Sequence, residues 1–220
     1  MMDLNARLKK FKEAEYDVNK EKYEKIINQQ NPHTLFITCC DSRIDVEKMM
    51  QADPGEVFHI RDIANIVPRE RDPEGHIPIV SSIEYAVQVL EVENVVVCGH
   101  SNCGGCAALM HLDDYETSLP HTAHWLRQSL PLRDYVREKY SEESEAEQLV
   151  LLEKLNVFQQ LVNLMTYGFV SEKVTAGTVK LTGLYFNIAT GIVSVYGYDP
   201  EMKDLLEEIA EDVKAAPDVC

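Results

Sequence analysis

Basic residues are scarce in this chain. It holds 21 Lys and Arg against 37 Asp and Glu in 220 residues, a formal net charge of −16. Nucleic acids and anionic membrane surfaces are held mainly through Lys and Arg, so the balance argues against both as partners. Long apolar runs are missing too. No window approaches the roughly 18 continuous apolar residues of a membrane-spanning helix. The opening MMDLNARLKKFKEAEY alternates charges and offers no apolar signal core, so a cytoplasmic protein is the expectation. Internal repeats and low-complexity linkers are also absent. Nor are the cysteines spread out as a disulfide framework would need: they stand at 39, 40, 98, 103, 106 and 220, four of them in the close pairs 39/40 and 103/106. In a cytosolic chain such clustering points to metal or redox chemistry. What is present is a 45% apolar content, enough for a sizeable core. The length suits one α/β domain over 31–220 behind an N-terminal helical arm over 1–30.

Leu4, Leu8, Phe11, Ala14, Val18, Ile26 and Ile27 recur at spacings near three and four, with charges between. That pattern predicts a long amphipathic helix over 2–29, broken once, whose apolar stripe needs a surface to cover. Asn31-Pro32 stops it, and the apolar run 34–38 reads as a buried strand. Further strands are expected at 57–60 and 95–98, with a helix over 79–90 between them and another after residue 103. Residues 141–167 read as helix, opening on a Ser-Glu-Glu-Ser-Glu capping segment. A hairpin joins strands 179–187 and 192–198 around Ala189-Thr190-Gly191, and an acidic helix is expected over 200–213. The fold class is therefore α/β: a mainly parallel central sheet with an antiparallel edge strand, helices on its faces and the helical arm.

Two of the expected strands run into clusters of metal-capable residues. The first is Cys39-Cys40-Asp41-Ser42-Arg43; the second spans Cys98-Gly99-His100-Ser101-Asn102-Cys103-Gly104-Gly105-Cys106. In an open parallel sheet ligands bind beyond the carboxyl ends of the strands, so neighbouring strands would deliver both clusters to one crevice. Zinc favours thiolate and imidazole in a tetrahedron, and a catalytic zinc keeps one position for water. Cys39, His100 and Cys103 would supply three ligands carrying two negative charges, which leaves a neutral site. Cys103 falls at a helix start, where the dipole favours a thiolate. Gly104 and Gly105 bring backbone N–H groups close without side chains to block a small substrate. Asp41 could take the fourth position itself. Paired with Arg43, it would be held off the metal with its pKa lowered, an acceptor for a proton of water. This set suits metal-assisted hydration, in which zinc lowers the pKa of its water from 15.7 towards about 7.

Cys-x-Asp-Ser-Arg, followed about sixty residues later by His-x-x-Cys-Gly-Gly, resembles the signature of the β-carbonic anhydrases. The similarity runs from about residue 30 to 198. Phe58 to Pro68 resembles the family's Arg-Asn-x-Ala-Asn segment, and Ser82-Ile-Glu-Tyr85-Ala-Val its next helix. The resemblance implies reversible hydration of CO2 to bicarbonate by one zinc per chain in a homodimer or larger homo-oligomer. It also implies that Gln30, Phe58 and Tyr85 line a narrow substrate pocket at the dimer interface, as in the plant-like subgroup. The bicarbonate-regulated subgroup carries Trp three residues before its first Cys ligand, where this chain has Phe36. Two departures stand out: Asp62 replaces the usual Asn beside Arg61, and Cys40 and Cys106 put extra thiols next to the site. Three other readings remain open from the residues. The same ligands serve hydrolases of carbonyl sulfide or carbon disulfide, Cys106 as a fourth ligand would close a non-catalytic zinc site, and Cys103-Gly-Gly-Cys106 has the form of a dithiol redox motif.

Overall fold

The computed structural model describes residues 3–70 and 77–198. Five strands form one sheet in the order β2-β1-β3-β4-β5: β1 Thr34–Cys39, β2 Val57–Asp62, β3 Asn94–His100, β4 Lys180–Phe186 and β5 Val193–Gly197. The first four run parallel, and β5 lies antiparallel to β4. The hairpin and its edge position are as the sequence predicts. β1 is buried at all six positions and β3 at six of seven, as for parallel strands covered on both faces. In register Thr38 pairs with Cys98, so β1 and β3 end side by side with Cys39 and His100 at one rim of the sheet.

The arm consists of α1, Leu4–Phe11, continued by a wider turn over Lys12–Tyr16, then α2, Lys20–Ile26. The single break falls at residues 17–19. Between β1 and β2 lies α3, Val46–Met50, capped by the Asp45 side chain. The helix before β3 is α4, Ile77–Glu84, continued by a wider turn over Tyr85–Val89. After β3 come α5, Gly104–Met110, and three short helices that periodicity alone does not reveal: α6 Leu112–Tyr115, α7 Pro120–Leu126 and α8 Leu130–Lys139. The helix expected at 141–167 is α9, Glu145–Met165, with Ser144 of the expected capping segment forming a capping box with Glu147. A turn at Thr166 and Tyr167 then leads into a further helix beyond that range, α10, Gly168–Thr175. The acidic helix expected over 200–213 lies outside the described residues.

α9 positions the site, and its close approach depends on glycine. A Cβ at Gly99 would lie 2.6 Å from a Val157 methyl, and one at Gly183 2.9 Å from the other. β3 and β4 thus present bare backbone to α9, and the helix settles low enough to reach the strand ends.

Candidate metal centre

Cys39 ends β1, His100 ends β3, and Cys103 is the N-cap of α5, three residues further on. Their ligand atoms all lie within 4.8 Å of one another, and all three residues are buried. The two sulfurs are 3.9 Å apart. A tetrahedral zinc with Zn–S near 2.3 Å sets its sulfurs about 3.8 Å apart, so the spacing suits that ion. His100 Nδ1 bonds the Ser101 carbonyl at 3.0 Å, which makes it the protonated nitrogen. Its Nε2 is buried with no hydrogen-bond partner, so a lone pair faces the sulfurs. An orphaned buried nitrogen costs free energy, and a cation between the three residues removes that cost.

The thiols argue the same way. The neighbouring Cys103 thiol and then burial push Cys39 up to about 12. Cys103 is also held above the thiol range, first by Cys106, with burial adding to it. Crowding and burial thus disfavour the thiolates of the bare site, and a divalent cation is what makes two adjacent thiolates tolerable. Cys106 is buried nearby but falls outside the cluster of mutually close donors. Cys98 sits in β3 with burial pushing its thiol up to about 12, and it packs with Phe36, Ile44 and Val46.

Asp41 is turned into a clamp by Arg43. Arg43 Nε donates to Asp41 Oδ1 at 2.9 Å and an Nη to Oδ2 at 2.6 Å, while the Arg43 backbone N–H adds a 2.9 Å bond to Oδ1. The same guanidinium reaches the Asn102 carbonyl at 2.9 Å, so it bridges both ligand-bearing segments. Hydrogen bonds from the guanidinium hold the Asp41 carboxyl far below the usual carboxylate range, against a smaller opposing effect of burial. Asp41 Oδ2 lies 3.9 Å from His100 Nε2, beside the cluster rather than in it. Arg61 donates to the Cys39 carbonyl at 3.0 Å and the Asp41 carbonyl at 2.7 Å, which pins the turn after β1.

Strand alternation puts Asp62 on the face opposite Arg61, buried, where Oδ1 accepts the Ile66 N–H at 2.7 Å and burial raises its pKa well above normal. Gly104 is exposed, and nothing lies within 4 Å of where a Cβ would stand, so access there is open. Phe58 and Tyr85 meet with ring centroids 6.2 Å apart, but Tyr85 is exposed. Gln30 is exposed in the stretch after α2 and is not brought to the cluster.

Sequence reasoning misses Glu153 of α9. It is buried, accepts the Cys103 backbone N–H at 2.8 Å through Oε1 and takes the Tyr185 hydroxyl at 2.7 Å through Oε2. Burial raises its pKa. The available signal was an acid directly after the apolar run Leu149–Leu152 of α9.

With this geometry in hand, comparison with known proteins is specific. The carbonic anhydrase family model matches residues 34–193. A carbonic anhydrase of Helicobacter pylori strain J99 is 33% identical over 202 residues, 90% of this chain and 91% of that one. The solved structure of the β-carbonic anhydrase CcaA superposes with a TM-score of 0.84 at 32% identity, covering 88% of this chain and 86% of that one. Two tetrameric β-carbonic anhydrases from the ascomycete Sordaria macrospora give a match with TM-score 0.69 at 29% identity, over 84% of this chain and 90% of that one. The chain belongs to the β-class carbonic anhydrases, a family of enzymes.

Proposed function

We propose that the chain hydrates carbon dioxide reversibly to bicarbonate and a proton, with one zinc ion held by Cys39, His100 and Cys103. The observation that carries this reading is a three-donor cluster whose neighbouring carboxylate is held aside by Arg43. When bound, zinc supplies a Lewis acid that activates water near neutral pH. The protein's own groups do the rest. His100 keeps its proton on Nδ1 against the Ser101 carbonyl and offers Nε2. Asp41 remains an anion because Arg43 stabilises its charge. A carboxylate with so low a pKa is a poor proton store, so its role is to accept a hydrogen bond and orient the reacting water. Arg43 is the other half of that gate, since without it Asp41 is free to turn towards the metal. Gly104 leaves the approach clear for a linear, apolar substrate.

Gln30, Phe58 and Tyr85 are read as the CO2-lining pocket, completed when two copies of the chain pair as a dimer or a multiple of it. The half-buried Phe58 against the exposed Tyr85 and the exposed apolar stripe of the arm support this. No helix among the described residues is long and apolar enough to cross a membrane, and work in the cytoplasm, where thiol ligands stay reduced, suits the site. The test is stopped-flow hydration of CO2 by protein carrying one zinc per chain, with carbonyl sulfide and carbon disulfide as competitors. Rapid CO2 hydration, lost on chelation and restored by zinc, is expected. Preferential hydrolysis of either sulfur compound would move the assignment to that activity.

A further inference from the structure

Five polar side chains on α9 have been given a buried face, and only Glu153 touches a ligand residue's backbone. Asn156, Gln160 and Asn163 instead grip the segment after β2. Asn156 Nδ2 donates to the Ala64 carbonyl at 2.8 Å, Gln160 Oε1 accepts the Val67 N–H at 2.8 Å, and Asn163 Nδ2 donates to the Val67 carbonyl at 2.7 Å. Gln160 Nε2 in turn donates to Asn156 Oδ1 at 2.8 Å, which fixes the orientation of the Asn156 amide. Buried amides of this kind are costly unless paired, and a leucine would fill the same space, so the donors point to a need for the bonds themselves.

What they hold is strained. Ala64 has φ 65° and ψ 23°, and Asn65 follows with φ 49°, two successive left-handed residues with side chains. This turn is seated between both cysteine-bearing segments. A Cβ at Gly105, two residues beyond Cys103, would lie 2.9 Å from Ala64 Cβ and 3.0 Å from Ala64 N. On the other side the Ala64 backbone amide lies within hydrogen-bond reach of the Cys39 sulfur.

We infer that Asn156 is a positioning residue for the metal centre, holding the left-handed Ala64–Asn65 turn so that the Ala64 N–H is aimed at the Cys39 sulfur. The inference rests on the proposed role of Cys39 as a metal ligand. An N–H directed at a ligating sulfur withdraws electron density from it, and such outer contacts tune both the ligand and the metal. Loss of the Asn156 amide lets the turn relax away from left-handed space, and Cys39 then becomes a more electron-rich donor.

The test uses full-length protein loaded with one Co2+ per chain, in which thiolate-to-cobalt charge transfer reports on the sulfurs. Asn156→Leu should shift that band to longer wavelength and weaken Co2+ binding about tenfold by chelator competition. Asn156→Ser carries the same expectation if the leucine variant does not fold. Adding Ala64→Gly, which removes the strain from the turn, should move the band back towards wild type. An unshifted band in the Asn156 variants, or a shift that Ala64→Gly does not reverse, overturns the inference while leaving the metal centre intact. A wild-type protein that binds Co2+ without any thiolate band overturns the metal assignment itself, and the inference with it.

Discussion

The rim of the sheet and the N-terminal arm differ in how far one copy of the chain satisfies them. At the rim, Asp41, Glu153 and Asn156 are held by partners within the chain, and α9 presses on β3 through Gly99. In α1 and α2 no residue is buried, and Leu4 is 66% and Val18 74% exposed. The arm touches the rest of the chain through Lys22, which pairs with Asp53, and Ile26, which packs on Gly55. The rim's ligands and clamp are positioned by the chain's own contacts, whereas an amphipathic arm left bare suits another surface.

The largest effects should come from the rim. Cys39→Ala or Cys103→Ala should abolish both metal content and hydration, whereas Cys106→Ala should spare both, as read by metal analysis beside the activity assay. Full zinc retention in Cys103→Ala would remove it from the ligand set. Next in size, Arg43→Ala and Asp41→Ala should keep zinc yet lose about 10²–10⁴ in rate, the usual cost of a positioned acceptor. Hydration within a few-fold of wild type in either variant at matched zinc would take the pair out of the mechanism. Gly99→Ala should cost about 1–3 kcal/mol in denaturant unfolding, because its methyl would meet Val157. Substituting Leu4, Leu8 and Phe11 with Ser should have the smallest effect on the single chain. One zinc per chain should remain, while sedimentation moves from dimer towards monomer. An unchanged sedimentation coefficient would separate the arm from assembly and weaken the contrast between the two regions.

Most of the rim was legible in the sequence because its chemistry is local: Cys39, Asp41 and Arg43 share one turn, and His100 and Cys103 share another. Strand ends in a parallel sheet then bring the two together. Glu153, Asn156 and Gln160 were not legible, since the segments they tie down are 32 to 93 residues away in sequence and each could as well be a solvated helix position. α6 to α8 were missed because short helices of four to ten residues carry too few turns for periodicity to show. The residues proposed for the pocket have a different difficulty: Tyr85 and Gln30 look like ordinary surface side chains in one copy.

The most direct measurement is zinc X-ray absorption on the purified, zinc-loaded protein at neutral pH. A three-donor site open at its fourth position predicts two sulfurs near 2.3 Å together with two nitrogen or oxygen neighbours near 2.0–2.1 Å. Three sulfurs would place Cys106 on the metal, close the site to water and contradict the account.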